Sequence, residues 1–279
     1  MGFSDLTPDN SILGATDNTK IGNDGDKLKT TAVGLTPGIA IATGEITGWT
    51  GVHKFGQNKD IDTGTIPEDI WSVGGLYPFP TSALTTTVAS SNTNDTSAGT
   101  GVRTIKVMGL NSSFVEIEET VTMNGTTNVT LANSYLRITR AFVETVGSNG
   151  TNLGDVDVKH TAVVLARIPI GIGQTEMAIF TIPAGKTGFI VDWGFRVQKS
   201  TGVAGSIDAK GALLTREDGF GFRTRANAIV QSDGDQSPVA FVFPVVVNEK
   251  TDIVARITEV GSNNTETISH FDIFLKDNA

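Results

Sequence analysis

From residue 83 onward, apolar and polar residues alternate with a period of two. Ile105 and Val107 stand against Thr104 and Lys106, and Leu136 and Ile138 against Arg137 and Thr139. Near the end of the chain, Phe271, Ile273 and Leu275 stand against His270, Asp272 and Lys276. A strand turns successive side chains to opposite faces, so each stretch predicts one face in a core and one in water. The runs recur at roughly ten-residue spacing, bounded by Gly, Asn, Asp or Pro. They predict strands near 83–90, 102–108, 114–122, 127–131, 135–146, 155–160 and 162–168. After Pro169-Ile170-Gly171-Ile172-Gly173 a second set follows near 175–183, 187–198, 205–215, 220–231, 238–247, 251–260 and 269–276. A Pro and two Gly between strand runs, with no helix for a parallel crossover, place a boundary at 168–174. The expectation is all-β: two antiparallel, jelly-roll-like sandwich domains, at 49–168 and 169–279. No repeat of 20–50 residues is visible, which disfavours solenoids and propellers.

The first 48 residues read differently. Thr16-Asp17-Asn18-Thr19-Lys20 and Asn23-Asp24-Gly25-Asp26-Lys27 are rich in turn formers and poor in large apolar side chains. This predicts an extended N-terminal arm in which Ile12, Leu13, Ile21, Leu28, Val33 and Leu35 are spaced anchors for a partner's surface, with Ile39 and Ile41 beyond them. At about 3.3 Å per residue such an arm reaches well over 100 Å.

Between arm and strands, residues 52–80 concentrate aromatics in a chain that is only 7% aromatic. Phe55, Trp71 and Tyr77 are the predicted docking residues of an ordered, non-repetitive segment, largely buried against the first sandwich or a subunit interface. Thr65 followed by Pro67-Glu68-Asp69 predicts a helix start capped by Thr65, ended by Gly74-Gly75.

Composition narrows the function. Thirty acidic against 21 basic residues give a net charge of -9, a field that repels nucleic acid and anionic lipid. With no Cys there are no disulfides, thiolate nucleophiles or Cys-ligated metals. The N-terminus lacks the pattern of a secretory signal and no segment approaches ~18 uninterrupted apolar residues, so synthesis in a cytoplasm is expected and a membrane partner is not.

Candidate chemistry is sparse. His53, His160 and His270 show no metal or triad spacing, and no GxSxG elbow is present. Asp60 and Asp62, Asp155 and Asp157, and Asp233 and Asp235 could supply oxygens to Ca²⁺, but none fits the twelve-residue loop, and Asx turns explain them more simply. Gly171-Ile172-Gly173 lacks the third glycine of a dinucleotide loop. Arg216, Arg223 and Arg225, interleaved with Glu217 and Asp218, read as cross-strand pairs or subunit contacts before phosphate ligands. No catalytic, cofactor-binding or metal residue is assigned, and the chain is read as a non-enzyme.

The segment Val52-His53-Lys54-Phe55-Gly56, running through Asp60-Ile61-Asp62-Thr63-Gly64-Thr65 and Pro67-Glu68-Asp69-Ile70-Trp71 to Gly74-Gly75-Leu76-Tyr77-Pro78, resembles a motif of virion structural proteins of tailed bacteriophages. Ile179-Phe180-Thr181-Ile182-Pro183-Ala184-Gly185 resembles the opening of the second domain in the same family. The resemblance covers about residues 50–279 and implies a non-enzymatic virion component without cofactors. Within that class the arm favours a capsid decoration or cement protein bound to the major capsid protein or other virion proteins. The alternative is a tail, baseplate or head-fibre protein that recognises host surface glycans. Phe241, Phe243, Val245 and Val247 alternate with Val242 and Val246, so the 238–247 strand is apolar on both faces and must be covered twice. Self-association, as a trimer by analogy with the family, is the expected consequence.

Overall fold

The computed structural model describes residues 37–199, 208–232 and 237–278. The chain divides into two units at Thr50/Gly51. The arm anchors Ile12, Leu13, Ile21, Leu28, Val33 and Leu35 and the pair Asp233 and Asp235 lie outside the described residues. The described part of the first unit is not wholly extended: Pro37–Ala42 form a short helix, continued by amide bonds from Thr43 to Ile39 and from Glu45 to Ala40.

The strands, in chain order, are β1 (Trp49–Ile61), β2 (Glu68–Asp69), β3 (Leu84–Ser90), β4 (Val102–Leu110), β5 (Glu116–Thr122), β6 (Val129–Tyr135), β7 (Arg137–Val146) and β8 (Val156–His160). They continue with β9 (Val163–Ile168), β10 (Ile179–Thr181), β11 (Lys186–Lys199), β12 (Asp208–Glu217), β13 (Arg223–Gln231), β14 (Ser237–Val247), β15 (Thr251–Val260) and β16 (Thr265–Asp277). Every strand predicted after residue 83 forms, with ends displaced by at most four residues. Among the described residues they build four sheets, ordered β1-β16-β11-β14, β10-β15-β12-β13 with β2 on β15, β6-β3-β8-β9, and β5-β4-β7. Their ladders are antiparallel.

The all-β, antiparallel expectation holds, but two clearly separate sandwich domains do not appear. The four sheets stand as blade-like units of one compact body, without the sequence repeat that a propeller carries. The side-chain parity of the β10-β15-β12-β13 sheet shows why a division fails. On one face Phe180, Leu213, Ile253, Ala255 and Ile257 join a core with Trp193, Phe195, Phe271 and Ile273 of the β1-β16-β11-β14 sheet. On the other face Ile179, Ala212, Leu214 and Val254 join a second core with Val88, Val156 and Val158 of one remaining sheet and Ile105, Val107 and Ile138 of the other. A strand buried on both faces reads as an almost unbroken apolar run, as Ala212-Leu213-Leu214 and Ile253-Val254-Ala255 do.

The boundary at 168/169 is corrected on two grounds. β1 lies beside β16 and β2 pairs with β15, so residues 49–71 belong with the strands that follow 169. The turn at 169–173 is also a fastened one. Buried Asn152 donates from Nδ2 to the Pro169 carbonyl at 2.8 Å and accepts from the Gly173 amide at 3.1 Å.

Two local expectations fail in 49–80. β1 is a 13-residue strand where an irregular segment was expected, because the alternating buried positions along its middle are Lys54, Gly56 and Asn58, which carry no apolar signal, and the one buried apolar residue, Ile61, stands at its end. No helix starts at Thr65. Glu68 and Asp69 pair instead with Ile257 and Arg256, and the Glu68 carboxylate accepts from Asn58 Nδ2 at 2.9 Å and from the Gly75 amide at 2.7 Å. Buried partners for both carboxyls outweigh the modest dipole preference of acids for a helix start.

Candidate functional site

The three aromatic residues expected to dock a partner do not share one role. Trp71 and Tyr77, each 3% exposed, are buried in one core with Val88, Val102 and Ile105, the first of the two covers expected for them. Trp71 donates its indole N–H to the Gly75 carbonyl at 3.0 Å and meets Tyr77 edge-on at 5.2 Å between ring centres. Tyr77 in turn meets Phe79 at 4.8 Å, and burial pushes its phenol up to about 12. Phe55 is half-buried, 5.8 Å from the His53 ring, on the outer side of β1.

What the aromatic segment supports is a stack of guanidinium groups and phenyl rings. Arg137 lies over Phe79 at 5.4 Å, and Arg216 over the same ring at 4.7 Å. Arg216 also lies over Phe222 at 4.6 Å, and Arg256 over Phe222 at 5.0 Å. The strand register brings the charges together, since Arg216 of β12 and Asp252 of β15 are direct partners. Asp252 accepts from Arg137 Nε at 2.8 Å and Nη2 at 3.0 Å, from Arg216 Nε at 3.2 Å and Nη2 at 2.5 Å, and from Thr181 Oγ1 at 2.7 Å. Asp69 accepts a fork from Arg256, Nε at 2.5 Å and Nη2 at 3.3 Å, and the Tyr77 amide at 2.8 Å. Burial pushes the Asp69 carboxyl up, and the Arg256 fork and the Tyr77 N–H pull it back.

Sequence alternation placed Arg137 on a wet face, and that is wrong: it is buried, with Asp252 and the Pro80 and Leu136 carbonyls satisfying its donors. The expectation that Arg216 makes a cross-strand pair holds. The overlooked signal was Asp252, an acid opening the apolar run Ile253-Val254-Ala255, which a buried strand tolerates only beside a cation.

Beside this stack lies a cleft of about 290 Å³. Phe79, Phe114, Leu136 and Phe220 form apolar walls, Arg137 and Arg216 supply the charge, and Asp218 also lines it.

A second surface feature is apolar. The β11–β14 register jumps from Asp192↔Ala240 to Ile190↔Val245, so four residues of β14 bulge against one of β11. Val242 is 89% and Phe243 86% exposed there, with Val246 exposed farther along, while Phe241 and Val245 pack against the core. Among the described residues, none supplies the second cover expected over this strand. The doubly covered strands are β12 and β15.

Most of the polar candidates among the described residues are engaged within the fold. His53 Nδ1 lies 2.5 Å from Asp272, His270 Nε2 3.2 Å from Asp192, and His160 Nδ1 donates to the Thr85 carbonyl at 2.8 Å. Asp62 accepts the Asn264 amide, Asp155 the Ile170 amide, and Asp157 a fork from Arg167. Lys54 of β1, 8% exposed, donates to the Thr139 carbonyl at 2.6 Å. Burial, assisted by Arg140, brings its amine down to about 7.

No family model and no curated protein matches the chain. Two solved structures are weakly similar, each at 13% identity. One, titled for the Gx strain of infectious bursal disease virus, matches over 81% of this chain and 70% of that chain with a TM-score of 0.18. The other, titled for the Gt strain of the same virus, matches over 82% of this chain and 80% of that chain with a TM-score of 0.16. Likeness at this level carries no argument about fold or function.

Proposed function

We propose that the chain is a non-enzymatic structural protein of a tailed-bacteriophage virion, a decoration or cement protein that binds and stabilises the capsid surface. The observation that carries the reading is the bulge of β14, where Val242 and Phe243 stand almost fully exposed on an edge strand whose residues Ser237–Val247 include no charge. Apolar area left in water forgoes about 25 cal/mol per Å² that a covering surface would recover. Around it, the two cores sharing one sheet are read as fused jelly-roll-like sandwiches. The partner is the major capsid protein or another virion protein, with the arm as a second attachment and a trimer as the assembled form. The motif at 52–80 gives the reading its virion assignment by resemblance.

Add-back to particles lacking the protein tests this. Phe243→Asp should retain the wild-type melting temperature and lose particle binding by at least about tenfold, roughly the 1.4 kcal/mol that one buried aromatic exceeds. Unchanged particle binding would overturn the reading. Loss of host adsorption with capsid stability intact would move the protein to the tail or fibre.

A further inference from the structure

Arg137, Arg216 and Arg256 are three cations, and the buried acids that bond them, Asp252 and Asp69, are two. Arg137 and Arg256 each have a bidentate partner, while Arg216 shares Asp252 Oδ2 with Arg137. The bonds of Arg216 run from Nε and Nη2, and among the described residues its Nη1 has no partner. Its plane is fixed between the rings of Phe79 and Phe222. A guanidinium held rigid and partly out of water, with donors left over, is organised for a planar two-oxygen acceptor. It lines the 290 Å³ cleft whose walls are Phe79, Phe114, Leu136 and Phe220.

We infer that this cleft is a binding site for a small carboxylate carried on an apolar or aromatic body, with Arg216 holding the carboxylate and Phe220 covering the body. The pairing follows from the two halves of the lining. Apolar walls favour a ligand with little polar surface, and the one guanidinium edge that Asp252 leaves on Arg216 favours a single carboxylate. Asp218, which also lines the cleft, opposes the ligand's charge and sets a ceiling on affinity. The inference stands apart from the virion reading, because it uses a different surface from β14.

The test is calorimetric titration of the full chain with phenylacetate and its neutral isostere phenylacetamide at low and high salt. Phenylacetate should bind, with the amide at least about tenfold weaker, the ratio of one charge-assisted pair. Asp218→Asn should tighten phenylacetate several-fold, and Phe220→Ala, a change at an exposed side chain, should weaken it without altering the melting temperature. Arg216→Gln leaves Arg137 on Asp252 and should abolish the preference for acid over amide. Equal binding of acid and amide overturns the site. So does failure of both wild type and Asp218→Asn to bind at about 10 mM, the weak limit for so small a ligand.

Discussion

Lys54 offers the sharpest test of how this fold is held, because it is a buried amine whose Nζ is bonded to a carbonyl. Burial brings its pKa from 10.5 down to about 7, with Arg140 acting in the same direction. Between those two values the unfolded chain holds a proton that the native state has released. Stability therefore rises with pH from about 7 to 10.5, and the burden of the buried charge is full below about 7. Three and a half pH units at about 1.4 kcal/mol each put that burden on the order of 5 kcal/mol.

Lys54→Met keeps the aliphatic stem and removes the charge, but it leaves the Thr139 carbonyl without its donor, a cost of about 1–3 kcal/mol. The variant should thus be more stable than wild type by about 2–4 kcal/mol at pH 6 and, with about 1.4 kcal/mol of the burden still present at pH 9.5, less stable there by up to about 1.5 kcal/mol, the curves crossing near pH ~9. Urea unfolding at half-unit steps from pH 6 to 9.5, at constant ionic strength, reads this directly. The upper limit matters because Tyr77 and Tyr135 have raised phenol pKa values and stay neutral in the fold. Above pH ~10 they subtract stability as the unfolded phenols ionise. Parallel pH profiles for wild type and variant would refute the argument, as would a variant less stable at every pH.

Three further substitutions probe the packing. Gly56→Ala should cost roughly 3 kcal/mol or more, since a Cβ there would sit 2.2 Å from the Ala178 nitrogen and 2.4 Å from the Ile70 oxygen, both backbone atoms; chemical denaturation gives the value, and a loss below ~1 kcal/mol would mean that β1 can move aside. Trp71→Ala should cost about 3–5 kcal/mol by opening a cavity beside Tyr77, measured the same way. Asp252→Asn keeps the shape but leaves buried Arg137 without its counter-charge, for a loss of about 3–5 kcal/mol; a loss under ~1 kcal/mol would show that the ion cluster is solvated in solution.

How much of this was legible follows from what each strand buries. Strands that bury Val, Ile, Leu or Phe on one parity, such as β4 with Ile105 and Val107, announce themselves because the two-residue period of the backbone is written in apolarity. β1 buries Lys54, Gly56 and Asn58 on its inner parity, and a period written in an amine, a missing side chain and an amide is invisible to that test. Yet those three residues are what the position requires. Gly56 permits the backbone approach to Ala178, Asn58 bonds Glu68, and Lys54 crosses to Thr139. The same failure hid Arg137, whose period was right and whose assigned face was wrong, because an arginine reads as solvent-exposed until its carboxylate is found 115 residues away.

Both misreadings fall where the chain buries polar groups between elements distant in sequence. Local pattern carries no information on such pairs, since the partner's identity is settled by topology. The cleft inherits this property: it is lined by residues from 79 to 220, and none of them stands out until the sheets bring Arg137 and Arg216 onto one acid. Exposed β14 is the opposite case. Its two-faced apolarity was plain in the sequence, and what the fold adds is that one face stays uncovered by the described residues because the bulge turns Val242 and Phe243 away from the core that holds Phe241 and Val245. A strand that is apolar by sequence and half-covered by the described residues of its own fold is a stronger sign of a further contact than either fact alone, since the first argues against a merely solvated edge and the second leaves an apolar face for another surface to cover.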